Sequence, residues 1–576
     1  MHRVHKLSVI GLLALAAPLM AGDEKLAPEL LSGDSGEPQD VIVQYAPPPE
    51  RAMAEDRIGG FRLVGAANRD ARPAARAARH RLLRATLVQL AGDPNVLYIS
   101  PDREVRVTGS SGSGSSPLDY SMATIGALAA QKSGYNGRGF SVAVIDSGVD
   151  QGSFDLRDSA TCSTSRVVYT ENFATWDPNG WDPYGHGTHV AGIIGGNGVC
   201  AAKNGGSSYK GLPGVAPQVN IVSLRALDNS GVGRDSSVIA AIDRAIALKT
   251  RFKIAVINLS MGRVVKESYT KDPLCQAVER AWKAGIVVVV AAGNNGRDNS
   301  MKTAGYATVT SPGNDPFVIT VGAMRDMGTA SKSDDQIATF SSKGPTLLDH
   351  FVKPDLVAPG NSINSVKPWG TYLQSAYPAN TVPGDWATGV PYESYFFLSG
   401  TSMAAPMVSG AAVLLLQDEP TLKPDQVKAR LMKTASKSFP AQSVWVDTRN
   451  RVTYTAVPDI FTVGAGYLDI RAALASNETI GSTQSAMSPR AVVKNGQVLI
   501  VNDTTGATNV AWGTNVVWGT NVVWGTNVIW GTNVAWGTNL VWGTSSVSGY
   551  NVVWGSNVAW GTANPFSEST SVDGER

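Results

Sequence analysis

Between residues 118 and 476, short apolar runs alternate with segments that have a helical pattern of apolar positions. The apolar runs are Val142 to Ile145, Ile221 to Leu224, Ile254 to Leu259, Ile286 to Ala291 and Val318 to Val321. Helical patterns cover Ser236 to Leu248 and Leu274 to Lys283. Continuous apolar strands that alternate with helices are typical of a parallel sheet covered on both faces. The pattern predicts an α/β fold, in which sites form at the carboxyl ends of the strands.

The region before this alternation has a different pattern. Strand-like runs at Val41 to Tyr45 and Val96 to Ile99 flank an Arg/Ala-rich stretch that we expect to be helical. The nine arginines from Arg51 to Arg84 have two interpretations, a solvated helix face or a surface for an anionic partner. Residues 109–117 are Gly and Ser up to a final Pro, which is typical of exposed segments that are easily cut. We predict a small α+β domain with its linker over residues 22–117, followed by the α/β domain over residues 118–476.

The first 21 residues have the pattern of an export signal. A basic start precedes a short apolar run, Leu7 to Ala17, and Leu19-Met20-Ala21 then offers a small residue at a cleavage site. A signal peptide over residues 1–21 predicts a secreted protein, extracellular or periplasmic. The alternative is a membrane anchor, but this run is short for crossing a bilayer, and no later run reaches spanning length.

A hexapeptide repeat covers residues 509–562, after a linker predicted over 477–508 and before a polar tail over 563–576. Its tryptophans are Trp512, Trp518, Trp524, Trp530, Trp536, Trp542, Trp554 and Trp560. Because six is an even number, every repeat presents the same faces if the chain is extended. The interpretations are attachment to a cell surface, stacking on glycans, self-assembly, or a flexible or locally packed appendage.

Charge and cysteine content narrow the classes of partner and fold. A net charge of +2 on 576 residues gives no reason to expect a nucleic-acid partner. Export leads to an oxidising compartment, where the three cysteines allow one disulfide. Cys162 and Cys200 both lie in loop-like sequence and are the predicted pair. Cys275 lies in a helical pattern, so we expect a small buried apolar residue there.

Three histidines remain after the first two regions are set aside, and histidine is the usual general base near neutral pH. His186 opens the segment His-Gly-Thr-His-Val-Ala-Gly, which predicts a helix start at a cleft. A zinc pair with His189 is an alternative, but no third ligand or glutamate base accompanies the two residues. We expect His189 to be structural and His350 to be solvated in a polar loop.

Three further residues have side chains that suit catalysis. Asp146 ends a buried strand, where an unpaired carboxylate is costly, and pairing with an imidazole would offset that cost. Ser402 opens an apolar helix, with a reachable hydroxyl and nearby N–H donors. Asn294 ends another strand, from which its amide can donate to a developing oxyanion. The alternatives are a turn or capping aspartate and an ordinary N-cap serine.

Together these segments resemble the signature segments of the subtilisin-like (subtilase) serine peptidases. The segments are Val-Ile-Asp146-Ser-Gly, His186-Gly-Thr-His-Val-Ala-Gly and Gly-Thr-Ser402-Met-Ala-Ala-Pro, in that family's order. The resemblance implies that Ser402 is the nucleophile, that His186 is a general base and then an acid, and that Asp146 orients His186. It also implies that Asn294 and the Ser402 backbone N–H form the oxyanion hole. The implied activity is a secreted endopeptidase acting on proteins or peptides, and the alternative is a catalytically silent subtilase-fold surface binding protein acting through its Trp repeats.

The resemblance also implies a cleft and an inhibitor. Two segments would line the main side-chain pocket and pair with an extended substrate: Ser260, Met261 and Gly262, and Ala291, Ala292 and Gly293. Residues 40–107 resemble, more weakly, an inhibitor prodomain that the enzyme removes by self-cleavage. The sequence does not identify the bond that is cut.

Two departures from the family pattern stand out. An insertion between Gly360 and Ser399 is rich in aromatic residues, among them Trp369, Tyr372 and Trp386, and it either borders the cleft or packs on itself.

The implied reaction requires no cofactor. The sequence leaves open whether the chain binds a structural calcium ion. Asp155 matches one calcium ligand of the family, but the family's usual calcium loop is not recognisable in residues 197–209.

Overall fold

The computed structural model describes residues 23–32, 37–46, 77–107, 109–110, 120–178, 180–201, 211–382, 395–447, 451–477, 480, 485–494, 497–501 and 575. The predicted signal peptide, the Trp repeats and most of the Gly/Ser linker lie outside these residues. The chain divides into two compact units, Met1–Asp102 and Arg103–Arg576.

The first unit contains a three-stranded antiparallel sheet in the order β2-β1-β3. The strands are β1 Gln39–Tyr45, β2 Ala77–Leu82 and β3 Val96–Pro101, and the helices are Pro28–Ser32 and Arg84–Ala91. The two predicted strands are confirmed. The expectation of a helical Arg/Ala-rich stretch is wrong for Ala77–Leu82, because pairing with β1 overrides the local preference for helix.

The second unit is built on a larger sheet in the order β14-β13-β12-β10-β6-β8-β7, with β15 paired to β13. Its strands are β6 Ser141–Asp146, β7 Val167–Asn172, β8 Asn220–Arg225, β10 Ile254–Leu259, β12 Val287–Ala291, β13 Ile319–Arg325, β14 Gln336–Ile337 and β15 Leu356–Pro359. All pairings are parallel except that of β13 with β14. The five predicted strand runs are confirmed.

Helices pack on the central strands of this sheet. Asp235–Phe252 contacts β6, β8 and β10, whereas Thr401–Asp418 contacts β10, β12, β13 and β15. Strands such as β6 and β12 are buried along their whole length, as a sheet covered on both faces requires. The other helices are Ser121–Thr124, Ala127–Lys132, His186–Gly195, Pro273–Lys283, Tyr372–Ala376, Pro424–Thr434, Ile460–Val463 and Ile470–Ala475. We call His186–Gly195 the histidine helix and Thr401–Asp418 the serine helix.

Two short antiparallel sheets lie beside the large one. Strand β4 (Glu104–Val107) pairs on one side with β9 (Val232–Arg234) and on the other with β11 (Met261–Gly262). Strand β17 (Tyr395–Gly400) pairs with β16 (Ile363–Val366) and with β5 (Gly109–Ser110). Two hairpins follow, β18 Ser443–Asp447 with β19 Val452–Ala456, and β20 Arg490–Lys494 with β21 Gln497–Val501.

The cysteines behave as the sequence predicts. Cys162 and Cys200 form a disulfide, with Cα atoms 5.5 Å apart, and Cys275 is a buried free thiol. Among the described residues, no helix is both long enough and apolar enough to cross a membrane.

Candidate active site

Asp146 and His186 form a buried pair at the carboxyl end of β6. The His186 Nδ1 atom lies 2.9 Å from Asp146 Oδ1 and 3.0 Å from Oδ2. Because a carboxylate can only accept, Nδ1 carries the proton of the neutral ring, which leaves Nε2 with its lone pair. Nε2 is buried and has no hydrogen-bond partner among the described residues. The pair therefore presents a base whose tautomer is fixed.

A second buried carboxylate, that of Asp182, holds the loop that carries His186. It accepts hydrogen bonds from the Gly185 N–H (2.7 Å), the Thr188 N–H (2.8 Å), the Thr188 hydroxyl (2.6 Å) and the Ser147 hydroxyl (2.8 Å). The Ser147 hydroxyl in turn accepts the Gly187 N–H at 3.0 Å. Burial raises the pKa of the Asp182 carboxyl. Asp182 was not among the residues predicted from the sequence, although an acidic residue just before a helix start is a recognisable signal.

Gly187 is required by the close packing at this point. A Cβ atom on Gly187 would lie 2.0 Å from the Gly148 carbonyl oxygen and 3.1 Å from Asp146 Cβ. Any larger residue would therefore push the histidine helix away from the strand end that supplies Asp146.

Ser402 lies in the first turn of the serine helix and is tied to the end of β10. Its hydroxyl donates to the Ser260 carbonyl at 2.8 Å, and the Ser260 hydroxyl donates to the Ser402 carbonyl at 2.9 Å. The Asn258 amide donates to the Ser260 hydroxyl at 2.9 Å, and the Ser409 hydroxyl donates to Asn258 Oδ1 at 2.8 Å. This buried network fixes the helix start, and of its members only Ser260 and Ser402 were predicted from the sequence.

Asn294 faces the same helix start. Its Oδ1 atom accepts the Thr401 N–H at 3.0 Å and the Thr401 hydroxyl at 3.1 Å. The Gly293 N–H donates to the same hydroxyl at 3.1 Å. The structure thus brings Asn294 next to the turn that contains Ser402.

The two predicted walls of the cleft meet at Thr310. A Cβ atom on Gly262 would lie 2.4 Å from Thr310 Oγ1, and one on Gly293 would lie 2.8 Å from Thr310 Cγ2. The Thr310 hydroxyl donates to the Ala292 carbonyl at 3.3 Å. Met261 and Ala291 are fully buried in the same walls. Thr310 was not predicted from the sequence, because it lies in a segment without a motif of its own.

The other two candidate histidines differ from one another. His189 is buried, and its Nε2 lies 2.9 Å from the Phe396 carbonyl oxygen, as expected for a structural residue. Burial lowers its pKa to about 3. The expectation of a solvated His350 is wrong, since this residue is half-buried and burial lowers its pKa to about 4. Its backbone carbonyl accepts the N–H of Ala491 in β20 at 2.8 Å.

Asp155 has protein partners for both carboxylate oxygens. The Tyr395 hydroxyl donates to Oδ2 at 2.5 Å, and the Ala201 N–H donates to Oδ1 at 2.9 Å. The buried Arg166 guanidinium donates to the Asp155 carbonyl at 2.9 Å. Calcium needs six to eight oxygen ligands that are free to coordinate, and these donors do not fit such a site. Across the described ranges, no three His, Cys, Asp or Glu side chains are grouped to hold a metal.

The aromatic insertion packs against the loop before His186. The Pro183 carbonyl accepts the Tyr372 N–H at 2.9 Å, and the Tyr372 ring stacks on Tyr184 with centroids 5.6 Å apart. Trp369 is exposed nearby in sequence, whereas Trp386 lies outside the described residues. The insertion therefore supports the loop that precedes the histidine helix.

Known proteins are similar to this chain in sequence. The profile described as "Subtilase family" matches residues 137–464. Serine protease AprX of Bacillus subtilis strain 168 is 36% identical over 306 residues, which are 52% of this chain and 62% of AprX. Subtilisin DY of Bacillus licheniformis is 35% identical over 319 residues, which are 55% of this chain and 92% of that protein.

A solved structure supports the same fold. Fervidolysin from Fervidobacterium pennivorans, a keratinolytic enzyme related to subtilisin, is 22% identical to this chain, with a TM-score of 0.53. The match covers 80% of this chain and 63% of the fervidolysin chain. At that identity the likeness concerns the fold alone, and the chain spans less than two thirds of the length of AprX and of fervidolysin. The family profile, however, matches more than half of the chain and contains Asp146, His186 and Ser402. The chain therefore belongs to the subtilase family of serine endopeptidases.

Proposed function

We propose that the chain is a secreted endopeptidase that cleaves proteins or peptides through Ser402, His186 and Asp146, and that it is made as a self-processed zymogen. The observation that carries this proposal is the buried Asp146–His186 pair. It leaves Nε2 as the basic atom of a histidine helix that packs against the serine helix.

The first half of the reaction uses Nε2 of His186. When a substrate carbonyl approaches, the Ser402 hydroxyl exchanges its bond to the Ser260 carbonyl for one to Nε2. Ser402 Oγ then attacks the carbonyl carbon while Nε2 takes the hydroxyl proton, and Asp146 stabilises the resulting imidazolium. The Asn294 amide and the Ser402 N–H donate to the developing oxyanion.

The second half releases both products. His186 returns its proton to the leaving amine, which leaves an acyl group on Ser402. Water attacks that ester with His186 again as the base, and the carboxylic acid product departs. These residues supply all the proton transfers and the charge stabilisation, so the reaction needs no cofactor.

The walls of the cleft suit an extended peptide. Met261–Gly262 is a strand edge, and in this structure it already pairs with β4 in the antiparallel sense. A substrate strand would take the same place, with its side chain before the cut directed between Ser260–Gly262 and Ala291–Gly293. We propose that residues 22–117 act as the inhibitor before self-cleavage and that residues 1–21 direct export.

Labelling with a fluorophosphonate probe tests the proposal. The processed protein should be labelled on Ser402, and Ser402→Ala should abolish labelling and lower peptide cleavage by about 10⁴-fold or more. Asn294→Ala should lower kcat by about 10²–10³-fold, because one oxyanion donor is lost. Absence of labelling, or equal labelling of Ser402→Ala, would overturn the proposal and favour a silent binding protein.

A further inference from the structure

Glu575, which follows the Trp repeats in the sequence, is buried in the second unit. It is the one residue beyond Val501 that the structure describes. Glutamate is seldom buried unless its charge is paired, because taking a carboxylate out of water is costly. The groups around Glu575 must therefore offset that cost.

Arg297 and Thr339 hold the carboxylate of Glu575. Its Oε1 atom accepts hydrogen bonds from Arg297 Nη2 (2.5 Å), from the Thr339 N–H (2.6 Å) and from the Thr339 hydroxyl. Arg297 Nε donates to the same hydroxyl at 2.8 Å, which joins the two binding residues to one another. Hydrogen bonds to an ionised group are about twice as strong as those between neutral groups. The pocket is therefore built for a carboxylate.

Asn361 binds the backbone of Glu575. Its Oδ1 atom accepts the Glu575 N–H at 2.7 Å, and its Nδ2 atom donates to the Glu575 carbonyl at 2.9 Å. Residues of antiparallel strands exchange the same two hydrogen bonds, so this contact suits an extended segment. Because one residue meets Asn361 with its backbone and Arg297 with its carboxylate, the site is matched to the length of a glutamate side chain.

Aromatic rings hold Arg297 in place. Its guanidinium lies over the Trp445 and Tyr454 rings of the β18–β19 hairpin, 4.0 and 4.6 Å from their centroids, and its side chain is 7% exposed. Its Nη1 atom is buried and has no hydrogen-bond partner within the described part of the chain. A guanidinium that is already fixed loses little freedom on binding, and this one has a donor left for a ligand.

Two further cations interact with the charge of Glu575. Burial lowers the pKa of the Arg325 guanidinium, and the negative charge of Glu575 opposes that shift. Burial also lowers the pKa of the Lys343 ammonium group to about 8, against the charges of Asp459 and Glu575. Across the described ranges, Glu575 is the carboxylate in ion-pair contact with Arg297. Such a pocket favours an anionic ligand over a neutral one.

The walls of the pocket are joined by contacts that do not involve Glu575. The Gly296 N–H donates to the Phe340 carbonyl at 2.8 Å, which ties together the neighbours of Arg297 and Thr339. Asn361 lies between strands β15 and β16, which pair with β13 and β17. The binding groups are thus in position before the ligand arrives, which lowers the entropy lost on binding.

We infer that Arg297, Thr339 and Asn361 form a binding site for a glutamate residue of an extended peptide segment, and that Glu575 of the same chain occupies it. Asn361 recognises the backbone whatever the side chain, whereas Arg297 and Thr339 recognise the carboxylate. The site holds the chain after the Trp repeats on the unit that contains Ser402.

Peptide binding in trans tests the site. The protein is the full chain with Ser402→Ala, which removes the proposed nucleophile, and Glu575→Gln, which weakens its own occupant. The probe is a fluorescent peptide with the sequence of residues 570–576, amidated so that it carries no terminal carboxylate. Fluorescence anisotropy should show saturable binding. The Glu575→Gln peptide should bind about tenfold more weakly, while the Asp573→Asn peptide, which loses the same charge, should bind like the parent peptide.

Variants of the pocket separate its two functions. Arg297→Lys keeps the charge but loses the planar fork, so the preference for the parent peptide over the Glu575→Gln peptide should fall below about threefold. Asn361→Ala should weaken both peptides about tenfold and leave their ratio unchanged, because Asn361 contacts only the backbone. Ser300→Ala, an exposed change close to Arg297 in the sequence, should bind both peptides as before.

Competition within the chain tests the occupant. The chain with Ser402→Ala alone should bind the parent peptide at least about tenfold more weakly than the double variant, because its own Glu575 is present at a high effective concentration. Equal binding to these two chains would overturn occupancy by Glu575, and so would a dimer that Glu575→Gln dissociates in sedimentation, since a second copy would then supply the glutamate. Absence of saturable binding, or equal binding of the parent and Glu575→Gln peptides, would overturn the site itself.

Discussion

The two helix starts that carry His186 and Ser402 are held by different chemistry. On the histidine side, a fully buried carboxylate, Asp182, accepts four hydrogen bonds from the loop and the helix start. On the serine side, a neutral chain runs from Ser409 through Asn258 and Ser260 to Ser402.

The difference follows from the charge that each side must carry. Backbone N–H groups at a helix start favour a negative charge, and in the proposed reaction the histidine side becomes positive, so a carboxylate is favourable there. In the same proposal the serine side stabilises a negative oxyanion, which a nearby carboxylate would oppose. A neutral amide such as Asn258 positions the serine helix without that cost.

The largest effect is expected from Asp182→Ala. Removing the Asp182 carboxylate leaves two buried N–H groups and two hydroxyls without their acceptor. We therefore expect the free energy of unfolding to fall by about 3 kcal/mol. A shift of His186 should lower kcat/KM about 10²-fold. Urea unfolding in the Ser402→Ala background and turnover per probe-labelled site measure the two effects.

Asp298→Ala is the matched control for this change. Its carboxylate accepts one N–H, from Ser300, in an exposed turn, so stability should change by less than about 0.5 kcal/mol. If Asp182→Ala behaved like Asp298→Ala, the loop would not depend on the buried carboxylate.

Asn258 sharpens the comparison between the two sides. Asn258→Ala should lower the free energy of unfolding by about 2 kcal/mol, because the Ser260 and Ser409 hydroxyls lose a buried partner. Asn258→Asp keeps the shape but places a carboxylate behind Ser402, so at neutral pH its kcat should fall further than that of Asn258→Ala. Steady-state kinetics over a pH series checks the order. A kcat for Asn258→Asp at or above that of Asn258→Ala would refute the argument from charge.

Acid should destabilise the histidine side through His189. The pKa of this buried residue is about 3 in the folded protein and about 6.5 in the unfolded chain. Below pH 6.5 the unfolded state binds a proton that the folded state does not, so stability falls as pH drops towards 3, by at most about 1.4 kcal/mol per pH unit. Between pH 7 and 5.5, where the unfolded histidine is partly protonated, unfolding of His189→Gln should show a slope smaller by about 0.8 kcal/mol per pH unit, and an unchanged slope would contradict the assignment.

The smallest effect is expected from Ser409→Ala. This change removes one neutral hydrogen bond to Asn258 and should lower the free energy of unfolding by about 1 kcal/mol. The kcat should stay within about threefold of wild type. The pH dependence of stability should not change, since the serine-side network contains no titratable group. Thermal unfolding at two pH values tests both statements, and a tenfold loss of kcat would show that the outer part of the network positions Ser402 as strongly as Asn258.

Sequence patterns were most informative where one segment contains the whole signal. The apolar runs predicted the central strands, since a strand buried on both faces needs no partner to be recognised. Ala77–Leu82 was assigned wrongly because its composition favours helix, and only pairing with β1 makes it a strand. His350 was assigned wrongly because the strand that covers it, β20, lies far along the chain.

The sequence by itself predicted the family, the α/β architecture, the disulfide partners and roles for Asp146, His186, Ser402 and Asn294, because short motifs carry them. The tertiary structure decided which polar groups hold those residues, Asp182 on one side and Asn258 with Ser409 on the other. It also decided that β4 pairs with Met261–Gly262 and that β5 pairs with Ser399 and Gly400. Hydrogen bonds and strand registers join residues far apart in the chain, and only folding brings such partners within 3 Å of one another.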